Sequence, residues 1–119
     1  MVVKYRAYVE DYGLVDVNVL DLSFQTIEFY YYKDGVPYTE TAYINDVALF
    51  PSTGLTDKQD NEIFEGDIVR GMSSSVIDFT GYVVYKAPEF KLVGIGRDKG
   101  YMTDLSEIVT VIGHIMVKN

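Results

Sequence analysis

Five carboxylates, Asp57, Asp60, Glu62, Glu65 and Asp67, fall within eleven residues of one another. A run of this kind could hold a divalent cation, and calcium is the natural test because it takes oxygen ligands in a turn-rich loop. Counting from Asp57, the glycine that an EF-hand loop needs at its sixth position is Glu62, and the glutamate at its twelfth is Ile68. The calcium pattern fails. Carboxylates in such a loop more simply accept hydrogen bonds from nearby amides and hold turns.

Other chemistries fare no better. Glu62 and Glu65 could serve as a glycosidase acid and base, but no stretch around them reads as a sugar cleft. Gly71-Met-Ser-Ser-Ser75 lacks the second glycine of a nucleophile elbow. Gly94-Ile-Gly-Arg-Asp-Lys-Gly100 half matches a phosphate cradle, yet position 99 is Lys and no helix follows; it reads as a hairpin bend. With His114 the single histidine and no cysteine, thiolate metal sites and disulfides are excluded, and a base-dependent hydrolase would hang on one residue. The expectation is a non-enzymatic chain without metal or cofactor.

Charge limits the partners. The net charge is −8, with 10 Lys and Arg against 18 Asp and Glu, so the phosphate neutralisation that drives nucleic-acid binding is disfavoured. The imbalance is steeper in residues 1–60, with 4 basic and 10 acidic side chains, than in residues 61–119, with 6 and 8. A nucleic-acid module, the alternative reading, would use Arg70, Lys86, Lys91, Arg97 and Lys99 interleaved with Tyr82, Tyr85, Phe90 and Tyr101. Asp78, Glu89 and Asp98 stand against it, and lysines on edge strands also block aggregation. No apolar run is long enough to span a bilayer and the N-terminus carries no signal-peptide pattern, so a cytoplasmic protein is expected.

The elements that must position these residues are strands, because the apolar period is two. Residues 2–9 alternate, as do Val15, Val17 and Val19 with Asp16 and Asn18. Thr26 to Lys33 and Val36 to Ile44 flank Asp34-Gly35, the strongest hairpin signal in the chain. Pro37 near its start points to an edge position for the returning strand, or to a slightly longer loop. Asn45-Asp46-Val47 predicts one helical turn, Ala48 to Phe50 a short strand halted by Pro51, and residues 51–66 a polar loop. Asp67 to Gly71, Ile77 to Tyr85, Phe90 to Gly94 and Ile108 to Val117 complete the strands. In the last of these Val109, Val111, Ile115 and Val117 face one way, with Thr110, Ile112, His114 and Met116 facing the other. The fold class is all-β with at most short helical turns. An N-terminal hairpin region over 1–50 and the loop 51–66 precede a second region, 67–119, that has the glycine-bent short strands of a partly open SH3-like barrel.

Eleven Tyr, six Phe and no Trp make the aromatic content lopsided. Phe29-Tyr30-Tyr31-Tyr32 concentrates it. Alternation puts Tyr31 on the face opposite Tyr30 and Tyr32, so both faces of that strand are aromatic and the strand is either covered on both sides or adhesive. These four residues are the candidate protein contact.

The loop and both ends of the chain resemble the YopX family of phage and prophage proteins. The likeness is carried by Lys4-Tyr5-Arg6-Ala7-Tyr8, by Thr53-Gly54-Leu55, Asp57-Lys58 and Glu62 to Val69, and by Val111-Ile112-Gly113-His114-Ile115. Two positions depart from the family pattern: Ser52 stands where a Tyr is usual, and Gln59-Asp60 where Asn-Gly is usual, which removes a turn glycine. The resemblance implies one mostly-β phage domain over 1–119, located in the host bacterial cytoplasm. It makes Thr53, Gly54, Leu55, Glu65, Gly66 and Asp67 its structural signature. It brings no established activity, so function is expected through contact with a protein partner or with itself as a homo-oligomer, without membrane or nucleic acid.

Overall fold

Alternation and turn chemistry build the first half. The computed structural model describes residues 4–72, 78–105 and 108–117; Ser73 to Ser75, Ile77 and the first three residues lie outside them. The chain divides into two units, Met1–Pro51 and Ser52–Asn119, and among the described residues all the regular structure is antiparallel strand apart from two single turns of 3-10 helix. The fold is all-β.

In the first unit β1 (Tyr5–Val9), β2 (Gly13–Asp21), β3 (Thr26–Lys33) and β4 (Val36–Tyr43) are followed by a 3-10 turn at Ile44–Asp46 and by the first residues of β5 (Ala48–Thr56). The hydrogen-bonded order is β4-β3-β2-β1-β5. Asp34 and Gly35 take φ of 53° and 78°, the two positive values of a type I′ turn, and pair Lys33 with Val36. Pro37 lies on an edge strand, as its missing N–H requires. Ala7, Val9, Val15, Ile27 and Phe29 form the core.

Here one expectation is corrected. Val19 does not share a face with Val15 and Val17, because the β2–β3 register slips between Val17 and Val19. Asn18 is the extra residue of a bulge, which turns Val19 outward and brings Leu20 against the core. Strict alternation cannot show a bulge, since one added residue reverses every later side chain.

Pro51 does not halt β5. The strand pairs with β1 as far as Tyr5↔Pro51 and then changes partner, with Ser52↔Phe64 and Thr56↔Glu62 joining it to β6 (Glu62–Phe64). The proline sits at this hand-over, where one ladder ends, and so costs little. Of the expected 51–66 loop, residues 57–61 and the Glu65-Gly66 turn remain outside the strands.

The second unit continues with β7 (Asp67–Gly71), β8 (Phe79–Lys86), β9 (Glu89–Gly94), a 3-10 turn at Gly96–Asp98, β10 (Met102–Asp104) and β11 (Val109–His114). Its order β10-β9-β8-β7-β11 is a meander whose last strand returns beside its first. Ile63, Val69, Phe79, Val83, Leu92 and Val109 are its core. The final strand ends at His114, not Val117, and carries a bulge between Val111 and Gly113. That bulge overturns the predicted facing, placing His114 opposite Asp67 and burying it.

Candidate functional site

The acidic signature is a set of hydrogen-bond acceptors for the main chain. Asp57 is buried; its Oδ1 accepts the amides of Gln59 (2.8 Å) and Asn61 (2.9 Å) and its Oδ2 the amide of Val111 (2.9 Å). The Lys58 amide donates to the Val109 carbonyl at 2.9 Å. One carboxylate and the next amide thus grip the Val109 carbonyl and the Val111 amide of β11, taking the place of a neighbouring strand. Burial pushes the Asp57 carboxyl up, but the amides of Val111, Asn61 and Gln59 outweigh it and hold the group below its ordinary range.

The device recurs. Glu65 accepts the Tyr85 amide at 3.0 Å while the Gly66 amide donates to the Val83 carbonyl at 2.8 Å. In both cases an acid and the amide after it clamp a strand carbonyl and the amide two residues on. Asp98 accepts from Thr80 N at 3.0 Å, and Ile95 N donates back to Thr80 O at the same distance. Asp67, wholly buried, takes the Phe64 amide at 2.8 Å. Thr53 Oγ1 donates to the Ile63 carbonyl at 2.8 Å and accepts from Leu55 N, Leu55 packs on the core, and Gly54 and Gly66 supply positive φ. Each of the six signature residues thus has a main-chain or packing role. At the loop tip Asp60 adopts φ 63°, occupying the left-handed conformation that the usual glycine would take.

The half phosphate cradle is also scaffold. Gly94 N donates to Tyr101 O, and a Cβ on Gly94 would collide with the Asp98 carbonyl. His114 Nδ1 accepts from Met116 N (3.1 Å), which leaves the proton on Nε2, 3.1 Å from the Glu65 carbonyl it then serves. The imidazole is an interior tie.

The candidate contact strand is split by its own alternation. Phe29 is fully buried, so it is core and cannot be surface. Tyr31 packs on the same side, stacked on Tyr38 at 5.4 Å and tilted against Tyr12 at 4.9 Å, with Tyr12 edge-on to Phe29 at 5.2 Å. Tyr30 and Tyr32 face the opposite way, 49% and 73% exposed. The cross-strand pairs Thr26↔Tyr43 and Val19↔Glu28 put exposed Tyr43 and Val19 on that same face.

The basic candidates are largely neutralised where they stand. Arg70 grips Asp78 with two hydrogen bonds of 2.9 and 3.0 Å, and Arg97 reaches both the carbonyl and, at 3.4 Å, the carboxylate of the same residue. The hydrogen bond and charge of Asp78 raise the Arg70 pKa, and Arg70 in turn lowers that of Asp78. Lys91 lies between Asp104 and Glu89, which raise its pKa. Lys86 and Lys99 are exposed, with Lys86 directly across the β8–β9 ladder from Glu89.

A family model described as YopX protein matches residues 4–116. The chain belongs to the YopX family. Among solved structures, the crystal structure of protein EF1440 from Enterococcus faecalis is 20% identical, covers 98% of this chain and 94% of that one, and superposes with a TM-score of 0.56, a likeness of fold. No curated protein matches the chain.

One exposed feature of this YopX fold has no counterpart in the sequence reading. Leu22 and Phe24 stand in the β2–β3 turn, 74% and 75% exposed, on a backbone braced by Asp21 Oδ1, which accepts from Ser23 N (2.9 Å) and Phe24 N (3.1 Å). Asp21 two residues before Ser23 was the available signal, a side chain able to close an Asx turn. Among the described residues no three His, Cys, Asp or Glu are placed to hold a metal, and no helix is long and apolar enough to cross a membrane.

Proposed function

We propose that this YopX-family chain is a non-catalytic, phage-encoded module that acts by protein–protein contact through the outward face of β3 and β4. The observation that carries the reading is the division of the aromatics. Phe29, Tyr31, Tyr12 and Tyr38 already satisfy the inner face, so Tyr30, Tyr32 and Tyr43 are surplus to folding and remain with rings in water. Tyrosine ordered on a sheet buries large area at low entropic cost when a partner arrives.

The same hairpin argues for its face over its edge. With a two-residue turn, Lys33–Val36, Tyr31–Tyr38 and Phe29–Glu40 are the bonded pairs, so Pro37, Thr39, Thr41 and Tyr43 direct their main-chain groups at the open side. Pro37 has no N–H, and the Thr41 amide is taken by the Glu40 carboxylate at 3.1 Å. Two of four edge donors are removed, a known defence against strand addition.

The test is recovery of co-purifying proteins from the host with the tagged chain, with and without nuclease, comparing it with the Tyr30→Ser/Tyr32→Ser double variant. The expected result is a nuclease-resistant partner lost from the variant while thermal stability is kept. Partners that vanish with nuclease would instead favour the basic residues of the second unit.

A further inference from the structure

An open dish of about 470 Å3 lies beside the β2–β3 turn, lined by Ser23, Phe24, Gln25, Tyr43, Asn45 and Asp46. Its two aromatic walls stand on fixed backbone. Phe24 is held by the Asp21 bonds described above, and Tyr43 is paired with Thr26 in the β3–β4 ladder. The walls are joined at their base, where Ile44 N donates to Gln25 O at 2.8 Å, and the 3-10 turn carrying Asn45 and Asp46 is closed by Val47 N on Ile44 O. Both rings remain exposed, as does the Asp46 carboxylate, and no described cation pairs with Asp46.

We propose that this dish receives an arginine or lysine side chain of a polypeptide partner. Aromatic faces attract a cation through the ring quadrupole, and a carboxylate at the rim fixes its charged end. Amide groups of Gln25 and Asn45 remain for the partner's adjoining main chain. The surroundings select the same occupant by charge. The unit Met1–Pro51 holds three basic and eight acidic side chains, so it repels a second copy and steers a basic segment. Pre-bracing keeps the ordering cost of binding low. The inference rests on the contact-module reading and gives that contact a chemical class.

The test is a nuclear magnetic resonance titration of the full-length chain with an acetylated, amidated Gly-Leu-Arg-Leu-Gly peptide, beside the same peptide with neutral citrulline for arginine. The arginine peptide is expected to shift the amides of Ser23, Phe24, Gln25, Tyr43 and Asp46, and the citrulline peptide to bind at least about fivefold more weakly. Asp46→Asn, a surface isostere that should fold normally, is expected to weaken the arginine peptide about three- to tenfold. Equal shifts from both peptides, shifts that map elsewhere, or an unchanged Asp46→Asn titration would overturn it. Concentration-dependent dimerisation abolished by Phe24→Ser would also overturn it by giving the dish to a second copy. The co-purified partner separates the two readings: retention by Asp46→Asn with loss by Tyr30→Ser/Tyr32→Ser sinks only the dish. Retention by the double tyrosine variant sinks the tyrosine-face reading, and the peptide titration then decides the dish alone.

Discussion

The two units spend the same residue types in opposite ways. In the first, aromatics are numerous enough to fill the inner face of β3 and still line its outer face, while Asp16, with its carboxylate in solvent, is an ordinary surface charge beside Arg6 at 3.2 Å. In the second, Asp57, Glu65 and Asp98 face main-chain amides and do the work of absent strands, Asp67 ties the β6–β7 turn, and the aromatics are fewer. An acidic run in a sequence is thus not one physical object. Where short strands leave amides without partners, a carboxylate is the ready acceptor; where long strands pair fully, acids meet amides only at a turn or an open edge, as Asp21 and Glu40 do, and rings are free to meet a partner.

The largest effects should come from the cores and tight approaches. Phe29→Ala should cost about 3–5 kcal/mol in chemical denaturation, since it deletes a fully buried ring. Asp57→Ala should cost about 2–4 kcal/mol, because three amides lose a charged acceptor. Asp16→Ala, by contrast, should stay within about 0.5 kcal/mol. Equal costs for the two aspartates would break the comparison between the units.

Acid should sharpen it. The Asp57 carboxyl is held below its ordinary value when folded, so its contribution is complete above the unfolded pKa of about 3.9 and disappears as the pH falls through the lower folded value. Hydrogen exchange followed from pH 5 downward should therefore show the amides of Gln59, Asn61 and Val111 losing protection before those of β3. Simultaneous loss would mean that the clamp contributes nothing special.

Smaller shifts test single positions. Asp60→Gly should stabilise by about 0.5–1 kcal/mol by relieving positive φ at the loop tip, measurable as a raised melting temperature. Tyr30→Ser and Tyr32→Ser should each change stability by less than about 0.5 kcal/mol; a cost above 2 kcal/mol would mean that the outer ring face belongs to the fold and not to a partner.

Much of this was legible beforehand. Period-two alternation located β3 to the residue and β4 except at its end, where Ile44 opens the 3-10 turn instead of closing the strand, and Asp34-Gly35 could form little else than the observed turn. Tyr30 and Tyr32 were separable from Tyr31 by parity alone. Each failure has a local cause. Asn18 and the bulge before Gly113 reverse parity, which turned Val19 outward and His114 inward. Pro51 stops a strand only where a ladder must continue, and here the ladder changed partner. Phe24, flanked by turn residues, offered no pattern that distinguished a displayed ring from a buried one.

What the sequence determined by itself was the all-β class, the hairpin and the family. Those follow from side-chain period, turn stereochemistry and residue type, all of which act within a few neighbours. Only the tertiary structure decided what the acids are for. Asp57 meets Val111 across 54 residues and Glu65 meets Tyr85 across 20, and an amide's need for an acceptor is settled only when the strand beside it turns out to be missing.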